Sequence, residues 1–96
     1  MVKAENYREF IVRSLQEIMA VDSPTGFSAA ISEKLLSMLS EMGYKGETTN
    51  KRLVKVSVPG AKKGLKRAVS AHTDTLGAMV RSVAADGRIR FTRLGG

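Results

Sequence analysis

His72 is the only histidine in a 96-residue chain that has no cysteine. It sits in Ser70-Ala71-His72-Thr73-Asp74-Thr75-Leu76-Gly77, at the end of a predicted buried strand. A neutral imidazole there is a good ligand for zinc or cobalt, and a partner on its second ring nitrogen would fix the tautomer. The Asp74 carboxylate, two residues on across a turn, can be that partner. His-x-Asp alone is a short pattern. Taken bare, it fits a histidine hydrogen-bonded at a strand end better than a metal ligand.

The elements that must position this pair can be read from periodicity. Tyr7, Phe10, Ile11, Leu15, Ile18 and Met19 recur at spacings that place them on one face of a helix, with Arg8, Glu9, Arg13, Gln16 and Glu17 on the other. Asp22-Ser23-Pro24-Thr25-Gly26 ends that pattern, because proline disfavours helix in the residue before it. A second helix is predicted from near Ser28, a good N-cap type, with Ile31, Leu35, Leu39 and Met42 on one side and Gly43 at its C-terminus. Each helix has one apolar side and needs a surface to cover it.

From Arg52 the period changes to two. Leu53, Val54, Val56 and Val58 read as a strand ended by Pro59-Gly60. A basic turn at Gly60-Ala61-Lys62-Lys63-Gly64 leads to a second predicted strand over 67–71, and a third covers 77–83. Asp86-Gly87 is a hairpin signal, turning into Ile89 and Phe91 on one face and Arg88, Arg90 and Thr92 on the other. The expected fold is α/β in the layered α+β sense: two N-terminal helices packed on a mixed sheet of about four strands.

Composition sets the outer bounds. At 43% apolar residues the chain is too hydrophobic for a disordered basic tail. Its start, Met1-Val2-Lys3-Ala4-Glu5-Asn6, lacks the apolar core of a signal peptide. The longest apolar run, Ile18 to Val21, is far short of the roughly 20 residues that span a bilayer. A soluble, cytoplasmic polypeptide with no membrane partner is expected. The formal charge of +7 is uneven, with a net −2 over residues 1–44 and +9 over residues 45–96. The basic half is either an anion-binding face or one part of a larger protein whose acids lie elsewhere.

The sequence Ala71-His72-Thr73-Asp74-Thr75-Leu76-Gly77-Ala78-Met79-Val80, followed by Asp86-Gly87-Arg88-Ile89-Arg90-Phe91-Thr92 and Leu94-Gly95-Gly96, closely resembles one enzyme family. These are the glutamyl and deblocking aminopeptidases, which include tetrahedral aminopeptidases and cellulase-M-like proteins. Ser23-Pro24-Thr25-Gly26-Phe27 is similar to that family's early Pro-Ser-Gly-Tyr type of loop. The resemblance implies a cytoplasmic metallopeptidase that removes N-terminal residues from peptides with a water activated by two divalent metal ions, zinc or cobalt, in a homo-oligomer. It implies that His72 ligates one metal and that Asp74, the candidate catalytic residue, orients it from behind. Gly26 and Gly77 become backbone positions. Thr49-Asn50-Lys51-Arg52-Leu53 departs from the family's Asp-x-x-Gly-Asn stretch, which bears on substrate preference.

A catalytic metal needs about three protein ligands, and a two-metal site needs a bridging carboxylate as well. These residues offer at most one ligand. In the family the others lie further along, beyond an inserted oligomerisation domain that begins close to a Gly-Gly pair like Gly95-Gly96. Residues 1–96 are therefore expected to form the N-terminal segment of the catalytic domain of a zinc aminopeptidase, inactive alone. Two other classes compete with this reading. One is a nucleic-acid-binding module using Lys51, Arg52, Lys55, Lys62, Lys63, Lys66 and Arg67, disfavoured because no aromatic stacking platform lies between Tyr44 and Phe91. The other is an inert interaction fragment with open strand edges.

Overall fold

A computed structural model describes residues 4–96; the first three residues of the start discussed above lie outside the described residues. The element order is α1 (Ala4–Met19), α2 (Ala29–Glu41), β1 (Gly46–Thr48), β2 (Val54–Val56), β3 (Gly77–Val83) and β4 (Ile89–Leu94). The chain is therefore mixed α and β, with both helices ahead of the strands.

Helix α2 forms the centre of the packed part. Ile31 and Ser32 are buried on it, and Leu35, Leu36 and Leu39 are half-buried. Its C-terminus closes as expected at Gly43 (φ 82°), where the Tyr44 amide donates to the Leu39 carbonyl and the Gly43 amide to Ser40, each over 2.9 Å. Those two bonds satisfy carbonyls that the helix itself leaves free, and the left-handed turn suits glycine. At the other end Ser28 occupies the N-cap position without a side-chain bond. Its carbonyl instead accepts from the Ser32 amide at 3.1 Å, with the Ser32 hydroxyl 2.8 Å away.

Strands β1 and β2 pair antiparallel, Gly46 opposite Val56 and Thr48 opposite Val54, and α2 covers them. Strand β1 was not expected from periodicity, because Gly46-Glu47-Thr48 is too short to show any. Strands β3 and β4 pair antiparallel from Gly77–Leu94 to Val83–Ile89. A bulge between Val80 and Ser82 shifts the register, so that Val80 and Val83, three apart, share a face with Phe91 and Ile89. The Asp86-Gly87 turn forms as read, with the Ala84 amide donating to Arg88 and the Asp86 carboxylate accepting from the Arg88 amide.

Two expectations are corrected. The four strands form two separate two-stranded sheets, not one mixed sheet. The strand predicted over 67–71 does not form. A strand exists only through its ladder bonds, and residues 67–71 pair with neither hairpin. Leu65 and Val69 consequently stand almost fully in solvent, 92% and 99% exposed. Among the described residues, the one isolated bridge is a parallel one that joins Pro24 to Thr75, beyond this segment.

Burial is sparse. Ile31 is the one buried apolar residue among those described, and Tyr7, Phe10, Ile11, Leu15 and Met19 on the apolar face of α1 remain exposed. The radius of gyration is 18.1 Å, where a compact chain of this length has about 12 Å. Most of the amphipathic design that the sequence announces has no covering surface within these residues.

Candidate metal-ligand site

The site is made by two segments fifty residues apart. The first is the loop after α1, where the Phe27 amide closes a turn on the Pro24 carbonyl at 2.8 Å. The second is the extended stretch leading into β3. Ser23 is buried and reaches both ways: its hydroxyl donates to the Thr73 carbonyl at 2.7 Å, and its carbonyl accepts from the Thr75 amide at 2.9 Å. Pro24 then lies against Gly77 so closely that a Cβ at that position would collide with the proline ring. A proline ring cannot rotate away, which is the physical reason for a glycine there. Gly26, the other position expected to matter through its backbone, has φ 87°.

Between those anchor points lie His72 and Asp74. The His72 Nδ1 is 2.9 Å from Asp74 Oδ1. The other carboxylate oxygen, Oδ2, accepts from the Thr25 hydroxyl at 3.2 Å. These two bonds, that to His72 first, hold the Asp74 carboxyl below its ordinary pKa. An ionised carboxylate only accepts hydrogen bonds, so the proton of a neutral His72 must be on Nδ1. Nε2 then carries the free lone pair.

The structure brings the two candidate residues, His72 and Asp74, within hydrogen-bond distance of each other. It corrects the setting: His72 is not at the end of a buried strand but on an exposed extended segment, its side chain 86% accessible. An accessible Nε2 lone pair backed by a carboxylate fits one ligand of a divalent metal ion. It does not amount to a whole site, since no group of three or more His, Cys, Asp or Glu side chains gathers among the described residues. Two open surface grooves, one at Leu36, Tyr44 and Gly46 and one at Arg8, Val12 and Gln16, include neither residue.

Sequence reasoning noted the loop as the end of the first helix and as part of a resemblance, but gave Ser23 and Thr25 no role at the site. The available signal was two hydroxyl residues flanking a proline, a pattern that holds a loop rigid while leaving donors on both sides.

The comparisons with known proteins agree with the motif reading. The family model of the M42 glutamyl aminopeptidases matches residues 53–96, which include His72 and Asp74. YhfE of Bacillus subtilis (strain 168), whose name assigns it provisionally to the aminopeptidases, is 33% identical over 82 residues, 85% of this chain and 24% of the relative. The glutamyl aminopeptidase of Lactococcus lactis subsp. cremoris (strain MG1363) is 34% identical over 86 residues, 88% of this chain and 23% of the relative. The chain thus resembles the glutamyl aminopeptidase family in its N-terminal segment and spans about a quarter of the length of these curated relatives. No solved structure matches it significantly.

Proposed function

We propose that these residues supply one metal ligand, His72, and its orienting carboxylate, Asp74, to a metal-dependent aminopeptidase acting on peptide N-termini in the cytoplasm. The observation that carries this reading is the His72–Asp74 pair, closed at 2.9 Å within the stretch that resembles the glutamyl aminopeptidases. Two divalent metal ions, zinc or cobalt, would supply Lewis-acid activation of a water and of the scissile carbonyl.

The chain's own contribution is positional. Asp74 holds the Nδ1 proton of His72 and so directs the Nε2 lone pair outward. The Ser23–Thr73 and Ser23–Thr75 bonds hold the backbone on either side of Asp74. The remaining ligands and the general base belong to other parts of a whole enzyme, so residues 1–96 by themselves are inactive. The uncovered apolar face of α1 and the exposed faces of β3 and β4 support a place within a larger catalytic domain and its homo-oligomer. No helix among the described residues is long and apolar enough to cross a membrane.

A chimera tests this reading. Residues 1–96 replace the aligned segment of the Lactococcus lactis glutamyl aminopeptidase, and release of N-terminal residues from peptides is measured. Chelator-sensitive release by the chimera, lost in His72→Ala together with metal content, is expected. Full activity in His72→Ala removes the ligand assignment, and chelator-sensitive turnover by residues 1–96 alone overturns the division of labour.

A further inference from the structure

We propose that Thr25 is a positioning residue for His72: its hydroxyl anchors Asp74 Oδ2, which leaves Oδ1 facing His72 Nδ1 and keeps the Nε2 lone pair outward. The inference rests on the reading of His72 as a ligand through Nε2.

Three observations carry it. First, the chain Thr25 Oγ1, Asp74 Oδ2, Asp74 Oδ1, His72 Nδ1 is continuous, with bonds of 3.2 and 2.9 Å. Each carboxylate oxygen has one side-chain partner, so rotation of the carboxyl group about its own axis breaks both of these bonds at once. Second, Thr25 does not depend on His72 or Asp74 for its own place. The loop that bears it is held by the buried Ser23 hydroxyl on Thr73, by the Ser23 carbonyl on the Thr75 amide, and by Pro24 against Gly77. Third, the pair itself is exposed, His72 at 86% and Asp74 at 52% of the side chain. An exposed imidazole has no packing to orient it. Its ring direction and tautomer therefore depend on Asp74, and among the side chains it is the Thr25 hydroxyl, carried by a separate segment, that fixes the direction of the Asp74 carboxylate.

The consequence is a division of roles within Ser23-Pro24-Thr25. Ser23 and Pro24 bind the backbone of the His72 segment, and Thr25 sets a side chain. Gly95 approaches the same hydroxyl, since a Cβ there would lie 3.1 Å from Thr25 Oγ1. The absence of a side chain at Gly95 therefore leaves the threonine hydroxyl its room.

The test is the tautomer of His72 in the 15N-labelled 96-residue chain, read from its ring-nitrogen NMR shifts at about pH 8.5, above the ordinary imidazole range. Wild type is expected to carry the proton mainly on Nδ1. Thr25→Val, which keeps the shape and removes the hydroxyl, is expected to lower the Nδ1-H to Nε2-H ratio about threefold, the size of one modest hydrogen bond. Thr25→Ser is expected to restore it. An unchanged ratio in Thr25→Val, or no recovery in Thr25→Ser, overturns the inference while leaving His72 as a ligand. A wild-type proton on Nε2 overturns both. Thr25 is exposed, so neither variant disturbs packing, and the backbone amide spectrum of each is expected to overlay on wild type outside 23–27 and 72–76.

Discussion

The Ser23 hydroxyl donates to the Thr73 carbonyl over 2.7 Å, joining the loop after the first helix to the segment that presents His72, fifty residues later. Ser23 is 2% exposed. The bond is part-buried, so solvent replaces it only in part when it is lost.

Ser23→Ala is expected to leave the Thr73 carbonyl short of a partner and to cost about 1–3 kcal/mol locally. Amide hydrogen exchange is the direct measurement. The Thr75 amide, which donates to the Ser23 carbonyl, should exchange faster than in wild type, with the α2 amides unchanged. Equal exchange at Thr75 in both proteins would show that the backbone bridge stands without the hydroxyl.

Gly77→Ala is expected to be more disruptive than its size suggests. The new methyl group would meet the Pro24 ring, which cannot move aside, so the loop must separate from the Thr75 segment at a cost of about 1–3 kcal/mol. The NMR signature is loss of contacts between Pro24 and residues 75–77. Gly46→Ala is the comparison: its Cβ would come within 2.8 Å of Leu36 Cδ2 and 2.9 Å of Leu39 Cδ1, methyl groups that can turn away. The smaller effect should be at Gly46.

Arg52→Gly is expected to stabilise the β1–β2 hairpin. Arg52 has φ 63°, the left-handed region, which costs a residue with a Cβ roughly 1–2 kcal/mol. Glycine's greater freedom in the unfolded chain returns about half of the gain. The carbonyl at this position is retained, and so is its acceptance of the Ser32 hydroxyl at 2.7 Å. Slower exchange of the Arg52 amide, which donates to Thr49, would bear this out; faster exchange would mean the arginine side chain matters in its own right.

The ion pair between Glu17 on α1 and Lys34 on α2, at 2.7 Å, makes the docking of the two helices depend on pH. Its hydrogen bond to Lys34 lowers the Glu17 pKa from an ordinary 4.5, and the same bond raises Lys34 above 10.5. For a lowered carboxyl, the contribution is present above the unfolded value and lost as pH falls through the folded one. For a raised amine, it is present below the unfolded value and lost as pH rises through the folded one. Contacts between α1 and α2 are therefore expected to hold from about pH 5 to 10 and weaken on either side. Both groups are near solvent, so added salt should flatten the profile. A profile without the acid limb in wild type, or one kept by Glu17→Gln, would contradict this.

Much of the local structure was legible in residue order because it is set locally. The 3.6 period of α1 and α2, the turn at Asp22 to Gly26, Gly43 after the second helix and the Asp86-Gly87 hairpin all rest on interactions within a few residues, and all appear. What failed were statements about partners. The strand over 67–71 was read from side-chain type, yet strand formation depends on a neighbouring ladder that these residues lack. The buried setting of His72 failed with it, being inferred from that strand. β1 was missed because three residues show no period, and it exists only through its pairing with β2.

The sequence by itself determined the chemistry at hand: one imidazole, a carboxylate two residues on, and a motif around them that resembles the glutamyl aminopeptidases. It could not show which groups stand behind that carboxylate. Only the tertiary structure brought Ser23, Pro24 and Thr25 against Thr73, Asp74 and Gly77. The physical reason is separation along the chain. Periodicity and turn signals reach only a few residues, whereas a contact between positions about fifty apart is decided by how the intervening elements fold.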